Sequence, residues 1–207
     1  MTIGEQVEEA KIVATDIPLE QFYKDYEGHY EWVGGMVFEM PPVLLEHNDM
    51  QEYLGDLLKV YFSFRPIGKI TKDPFPMHLE GISDRQPDIQ VILGENQQNL
   101  TSKHMDGAAD IVIEIVSPGS AAMDRGRKFE EYQRGCVPEY WIIDPQAEEA
   151  LFYRLDEKGI FKAQAVQDGL YRTEQLPDFQ LHVPTLWRDE LPSLMQVVQA
   201  VQEMLGA

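Results

Sequence analysis

Two nearly continuous apolar runs, separated by a helical stretch, constrain the fold of this chain more than any other feature. The first run covers residues 109–117 and the second covers residues 137–145. A run without polar alternation predicts a strand that is buried on both faces of a sheet. The stretch between the runs has helical spacing, with a serine N-cap at its start and Gly135 at its end. Strand, helix and strand with short joints predict a parallel pair with a right-handed crossover.

The rest of the chain predicts further elements around this unit. A hairpin is indicated at Gly34-Gly35, followed by a long amphipathic helix at residues 41–64, whose start is marked by two prolines. Shorter helices are indicated at residues 18–27 and 190–205, extended segments begin at residue 67, and alternating strands follow residue 149. These elements indicate an α+β fold with a mixed β-sheet core flanked by helices.

The domain organisation follows from the absence of any linker rich in Pro, Gly or Ser. A chain of 207 residues is long enough for one domain with a substantial core. We therefore expect a polar, peripheral N-terminal segment at residues 1–17 and a single domain at residues 18–207. No apolar run is long enough to span a membrane, and the first residues have no signal-peptide core, which predicts a cytoplasmic protein.

The net charge of −19 argues against a protein that holds nucleic acid through its phosphates. The dense basic cluster consists of Arg125, Arg127, Lys128 and Arg134. The acidity is compatible with metal binding or with a protein partner. The single cysteine, Cys136, excludes an internal disulfide framework and a thiol-based zinc cluster.

Three ionisable residues occupy positions that packing alone would not choose. Asp88 opens a short strand, Glu114 interrupts a buried one, and Lys128 lies on the crossover helix. Two carboxylates held close on adjacent strands need a cation between them, and their oxygens suit Mg²⁺ or Mn²⁺. Each residue also has a structural interpretation. Asp88 can be an aspartate at a strand edge, Glu114 can belong to a buried ion pair, and Lys128 can form an exposed pair with Asp124, four residues earlier.

Other candidates are weaker. His47 borders the apolar stripe of the long helix, where it can be a core-edge residue or line a cleft beside the carboxylates. The sequence has no Walker phosphate loop, no Gly-x-Gly-x-x-Gly, no nucleophile elbow and no His-Glu-x-x-His helix. Nothing here indicates a nucleotide fold, a serine hydrolase or a zinc protease.

The motifs around these candidates resemble those of a known family. The segments "QPDIQVI" and "DIVIEIVSPGS", followed by "DRGRKFEEYQRGCVPEYWIIDP", resemble Uma-two, a restriction-endonuclease-like family within the PD-(D/E)XK nuclease superfamily. Upstream "YEWVGGMVFEMPPVLLEHNDMQEYLGDLL" and downstream "LPDFQLHVPTLW" extend the resemblance to roughly residues 18–190. The resemblance implies a restriction-endonuclease-like core with a metal site.

Residue by residue, the resemblance implies a ligand set and a catalytic cation. Asp88 and Glu114 match the two acidic ligands of the family, which with the carbonyl of Ile115 would hold Mg²⁺ or Mn²⁺. The superfamily lysine normally lies two residues after the glutamate, where this chain has Val116. In this subfamily the lysine lies instead on the helix that follows the strand, and the matching residue of this chain is Lys128.

The resemblance also assigns supporting residues. Asp124 matches the aspartate of the same helix and would orient Lys128, and His47 matches a recurrent histidine. Arg125 and Arg127 are the candidates for binding a local phosphate.

Three functional hypotheses follow. The first is a metal-dependent endonuclease that hydrolyses phosphodiester bonds in nucleic acid, with DNA favoured. The second is a nuclease-like binding or assembly module without turnover, which the acidity favours. The third is a hydrolase of another phosphate ester. The choice between DNA and RNA and the existence of a homodimer are left open by the sequence.

Overall fold

A computed structural model describes residues 10–40, 42 and 44–206 of the chain. Within these residues the strands are β1 (Lys11–Ala14), β2 (Tyr30–Val33), β3 (Met36–Glu39), β4 (Gly68–Lys72), β5 (Met77–Leu79), β6 (Ser83–Arg85), β7 (Ile89–Leu93), β8 (Met105–Asp106), β9 (Ile111–Ile115), β10 (Glu139–Asp144), β11 (Glu149–Leu155), β12 (Phe161–Ala163), β13 (Leu170–Arg172) and β14 (Gln180–His182). The helices are α1 (Leu19–Asp25), α2 (Leu45–Phe64), α3 (Phe129–Arg134) and α4 (Leu194–Leu205). Two 3₁₀ helices (Gly94–Asn99 and Val183–Trp187) and a π-helical segment (Met123–Lys128) complete the elements of the described residues.

The central sheet has the strand order β12-β11-β10-β9-β7-β4. Strands β9 and β10 are parallel, with Ile111 opposite Glu139 and Ile115 opposite Ile143, while the other neighbours are antiparallel. The predicted parallel pair and the mixed character of the sheet are therefore confirmed. The crossover between β9 and β10 contains the π-helical segment and α3.

Strand β9 is covered on both faces, as its uninterrupted apolar run predicts. Ile111, Ile113 and Ile115 point into a core shared with α2 and α4. Val112 and Val116 point into a second core on the other face, which α3 covers with Tyr132. Glu114 has the same parity as the two valines, so its carboxylate lies on the α3 side of the sheet.

A second sheet, with the order β1-β3-β2-β6-β5-β8, packs beside the first in the described residues. The predicted hairpin forms its β2–β3 pair. Pro74 and Pro76 separate β4 from β5, because proline cannot donate to a strand ladder, and the chain changes sheet there. The sequence patterns did not separate this sheet from the central one.

The ends of several elements differ from the sequence-based prediction. Residues 10–14 of the segment expected to be peripheral include the exposed edge strand β1, and residues 1–9 lie outside the described residues. Helix α2 begins at Leu45 rather than at residue 41, and Pro41 also lies outside the described residues. The crossover helix begins after Ser120 and contains a π-helical turn that a 3.6-residue period does not predict.

Candidate active site

The candidate site lies where β9 ends and β7 begins. Ile89 pairs with Ile113 in the antiparallel register, which continues to bring Asp88 opposite Glu114. Both carboxylates line a small pocket of about 60 Å³. The structure therefore brings together the two acidic residues that the sequence singled out.

Asp88 is held by two neighbouring elements, β9 and α2. Its Oδ2 accepts the backbone N–H of Ile115 at 2.5 Å, and its Oδ1 lies 3.1 Å from His47 Nε2. The side chain of Gln51 donates to the backbone carbonyl of Asp88 at 3.0 Å. Burial lowers the pKa of His47, but the contact with Asp88 outweighs it, so the pKa of this histidine is raised overall. Helix α2 thus contributes a hydrogen-bonding partner to Asp88.

Glu114 is held by the crossover. Lys128 Nζ lies 2.9 Å from one carboxylate oxygen, and the Tyr132 hydroxyl donates to the other at 2.5 Å. Lys128 Nζ also lies 3.1 Å from Asp124 Oδ1, and Ser120 donates to Asp124 Oδ2 at 2.6 Å. Lys128 is only 4 % exposed, so the alternative of a solvent-exposed Asp124–Lys128 pair does not hold.

The protonation of Lys128 follows from these neighbours. Burial disfavours its charged form, but the carboxylates of Asp124 and Glu114 outweigh burial and raise its pKa well above the usual value. Lys128 is therefore an ammonium ion at neutral pH. A buried ammonium ion can stabilise negative charge but cannot accept a proton.

The pocket contains more negative than positive charge. Five carboxylates line it, together with one lysine and two histidines: Glu31, Asp73, Asp88, Glu114, Asp124, Lys128, His29 and His47. Burial, reinforced by neighbouring carboxylates, raises the pKa of Glu114 and of Asp124 and raises that of Asp73 to about 6. Carboxylates held in this way favour a proton or another cation among them.

Comparison with known proteins assigns the chain to a family. The family Uma2, the Uma-two of the sequence analysis, is described as "Putative restriction endonuclease" and matches residues 19–184. The chain belongs to the Uma2 family. No curated protein matches it.

A solved structure confirms the fold of this Uma2 chain. It is that of a protein from Anabaena variabilis ATCC 29413, described as a putative nuclease belonging to DUF820. The TM-score is 0.69 at 18% identity, over 83% of this chain and 97% of the other. At this identity the likeness establishes the fold alone, which is the expected α+β, restriction-endonuclease-like architecture.

Family and fold together indicate a restriction-endonuclease-like nuclease with a nucleic-acid substrate. None of the helices in the described part of the chain has the length and apolar character needed to cross a bilayer.

Restriction-endonuclease-like families generally use divalent metal ions. Across residues 10–40, 42 and 44–206, no three His, Cys, Asp or Glu side chains converge closely enough to hold a metal. Mg²⁺ needs only one or two carboxylates because waters and substrate phosphates complete its octahedron. Asp88 and Glu114 supply two such groups in a pocket with excess negative charge. The residues present therefore fit Mg²⁺ or Mn²⁺ through two carboxylates, with the Ile115 carbonyl beside them.

Arg125 and Arg127 of the basic cluster lie away from the pocket lining. Arg125 is bound by Asp144 at 2.7 Å and by Glu149 at 2.5 Å, which neutralise it. Arg127 is exposed, and its guanidinium lies 5.4 Å from the centre of the Phe38 ring. Their assignment as substrate-binding residues of this Uma2 protein stays a prediction, and Arg127 is the less engaged of the two.

Sequence reasoning missed several residues of the site. Tyr132 donates to Glu114 from the crossover helix, and an aromatic hydroxyl at helical spacing there could have suggested this contact. Asp73 joins the pocket from the turn after β4 and Glu31 joins it from β2, and no local pattern could have found them.

The fully buried Arg85 stabilises the part of the Uma2 site formed by Glu31 and α3. Arg85 donates to Glu131 at 2.7 Å and 3.0 Å and to Glu31 at 2.6 Å. This network ties the second sheet to α3, because Glu31 and Arg85 belong to β2 and β6. It thereby fixes the helix that presents Lys128.

Proposed function

We propose that this chain is a metal-dependent endonuclease that hydrolyses phosphodiester bonds, with DNA as the favoured substrate. The observation that carries the proposal is the pair of facing carboxylates, Asp88 and Glu114, with the Lys128 ammonium 2.9 Å from the second. Five carboxylates line the pocket with one lysine, and only Glu31 among them is also bound by Arg85. Buried groups with raised pKa values in a pocket are candidates for a functional site.

In the proposed site, Asp88, Glu114 and the carbonyl of Ile115 hold Mg²⁺ or Mn²⁺. When bound, the ion supplies a water of lowered pKa and neutralises charge on the phosphate. Asp88 keeps its orientation through the Ile115 N–H and His47. Glu114 keeps its orientation through Tyr132 and Lys128.

Lys128 has an electrostatic role in this proposal. Because its pKa is raised, it does not remove a proton from water. Its ammonium group is fixed in advance by Asp124, so it stabilises the negative charge that develops on the phosphate without reorganising. Asp124 is thereby a positioning residue, as the family resemblance implied.

The alternative function is a nuclease-like binding or assembly module without turnover. One observation favours it: each oxygen of Glu114 and of Asp88 already has a partner within the protein. A carboxylate oxygen can accept a second interaction, so these contacts do not block an ion. The two functions therefore differ in a measurable property, which is metal-dependent cleavage.

The test compares isosteric variants of two buried glutamates. Glu114→Gln removes the charge in the pocket, and Glu139→Gln removes the charge of a buried glutamate outside it. Mg²⁺ and Mn²⁺ are titrated into each protein by calorimetry. Cleavage of single-stranded, duplex and branched DNA and of RNA is then measured under conditions where circular dichroism shows both variants folded.

The endonuclease proposal expects metal binding and cleavage in wild type and in Glu139→Gln, and neither in Glu114→Gln. Metal binding without cleavage of any nucleic acid would favour the module. Absence of metal binding in wild type would refute the metal site itself.

A further inference from the structure

A large groove lies on the far side of α2 from the Asp88 contact. It has a volume of about 1120 Å³ and runs between α2, the β10–β11 turn and residues 186–194. Its floor includes Met50, Tyr53 and Leu186, which are buried. The nuclease proposal does not use this groove, although His47 lies on the same helix.

The groove is acidic along its whole length. Its lining contains seven carboxylates and one arginine: Glu46, Asp49, Glu52, Asp56, Glu148, Asp189, Glu190 and Arg188. The four on α2 are spaced three or four residues apart, so they form one stripe of the helix. Among the described residues, Asp56 has one distant lysine contact at 3.9 Å, and the other six carboxylates have no ion-pair partner.

Apolar and hydrogen-bonding groups accompany the charges. Leu45 and Leu194 line the groove and are 76% and 55% exposed. Tyr53 is nine-tenths buried in the floor, and its hydroxyl has no hydrogen-bond partner among the residues that the structure describes. The hydroxyl itself is not one of the fully buried unpaired atoms of the described residues, so it faces the groove and can bond to a ligand.

We propose that the groove binds a cationic amphipathic segment of a partner protein, with its basic side chains on the α2 stripe and its apolar side chains on Leu45 and Leu194. Charge complementarity selects this occupant. A nucleic acid would place phosphates against seven carboxylates. A second copy of the chain carries the same charge of −19, which opposes self-association through an acidic face.

The probe is a fluorescent 18-residue peptide of leucine and lysine with helical amphipathic spacing, and binding is measured by anisotropy at physiological ionic strength. A peptide with the same composition in scrambled order measures attraction by net charge alone. We expect the amphipathic peptide to bind wild type about tenfold more tightly than the scrambled one.

Matched variants locate the binding. Asp49→Asn with Glu52→Gln is expected to weaken binding about tenfold, and Tyr53→Phe about fivefold. Asp168→Asn with Glu157→Gln removes the same charges from exposed turns outside the groove and is expected to leave the affinity within about twofold of wild type.

A second pair tests the apolar contact. Leu45→Ser is expected to weaken binding about threefold to tenfold, whereas Ile160→Ser, which replaces an exposed isoleucine elsewhere, is expected to leave it unchanged. Hydrogen exchange is expected to slow in α2 and in residues 186–194 when the peptide is bound.

Three outcomes would overturn the proposal. The first is equal binding of the amphipathic and scrambled peptides. The second is equal weakening by the groove variants and their controls, which would mean that net charge alone attracts the peptide. The third is a concentration-dependent dimer of the protein alone that the Asp49→Asn and Glu52→Gln changes alter, which would assign the groove to a second copy.

Discussion

Two buried glutamates on neighbouring strands of the central sheet have opposite electrostatic surroundings. Glu139 begins β10 beside Ile111, and Glu114 lies near the end of β9. Both are at most 2% exposed. They occupy opposite ends and opposite faces of the same parallel pair, so differences between them arise from their neighbours and not from the type of strand.

Glu139 is surrounded by donors. Its carboxylate accepts hydrogen bonds from Trp141 Nε1 at 2.7 Å, the Tyr171 hydroxyl at 2.6 Å and the Thr173 hydroxyl at 2.8 Å. Arg154 lies 3.8 Å away. Burial raises the pKa of Glu139, and these contacts partly offset it. The hydrogen bonds from Tyr171 and Thr173 hold β13 and the residues after it against the central sheet.

Glu114 also has donors, but other carboxylates surround it. Asp88, Asp124 and Glu31 all raise its pKa in addition to burial, against the single lysine. Burial alone therefore does not distinguish the two glutamates, whereas unbalanced charge in an accessible pocket makes Glu114 the candidate for a functional role.

The largest expected effect is on cleavage by variants of the carboxylate pair. Asp88→Asn and Glu114→Gln are each expected to lower the rate of DNA cleavage about thousandfold or more, because each loses a charged metal ligand. Initial rates with Mn²⁺ measure this. If Glu114→Gln cleaved DNA at a rate within tenfold of wild type, the proposed functional difference between Glu114 and Glu139 would be wrong.

The next effect concerns stability. Glu139→Leu is expected to lower the free energy of unfolding by about 3–5 kcal/mol, because it leaves three buried donors and Arg154 without their acceptor. Glu114→Gln is expected to change it by less than about 1 kcal/mol, because it removes one of several repelling charges. Urea unfolding monitored by tryptophan fluorescence measures the free energy of unfolding of both variants. Equal losses in Glu139→Leu and Glu114→Gln would contradict the expected difference between the two glutamates.

Lys128→Met is expected to lower the cleavage rate about hundredfold, the magnitude typical of losing one preorganised electrostatic group. Metal binding is expected to persist, because both carboxylate ligands remain. Single-turnover rates together with calorimetric Mn²⁺ titration separate the two properties. Wild-type cleavage by this variant would show that the lysine has only a structural role.

Metal is expected to stabilise the fold through Glu114 and not through Glu139. At a Mn²⁺ concentration 100 times its dissociation constant, the gain is about 2.7 kcal/mol. Thermal unfolding with and without Mn²⁺ is expected to show this gain in wild type and Glu139→Gln and to show none in Glu114→Gln. Equal gains in all three proteins would place the ion elsewhere.

The smallest effect is expected from Tyr132→Phe. This change removes the hydroxyl that donates to Glu114 at 2.5 Å and keeps the ring in the core. Cleavage is expected to slow about tenfold, which corresponds to one hydrogen bond to a charged group. The matched change Tyr171→Phe, which removes a donor from Glu139, is expected to leave the cleavage rate unchanged.

The sequence predicted those features that depend on local pattern. The parallel pair, the β2–β3 hairpin, α2 and α4 all followed from apolar periodicity. Asp88 was found because it opens a short strand and Glu114 because it interrupts a buried one, and the family resemblance then implied their roles together with that of Lys128. Their joint location was predictable because strand ends at one edge of a sheet must meet.

The remaining features depend on tertiary contacts. The π-helical turn Met123–Lys128 widens the helix where it passes the pocket, so a period of 3.6 residues does not describe its side-chain positions. Lys128 is buried and Arg125 is exposed. Asp73 joins the pocket only because β4 pairs with β7 over a long sequence separation.

The position of Lys128 on a helix affects how proteins of this kind can be recognised from sequence patterns. The place two residues after Glu114 is held by Val116, which is buried in the apolar core beneath α3. The positive charge beside the Glu114 carboxylate comes instead from Lys128, which lies 14 residues further along the chain. Linear patterns that require the lysine beside the glutamate would pass over this chain, whereas a search for an ammonium group within 3 Å of a strand-borne carboxylate would retrieve it.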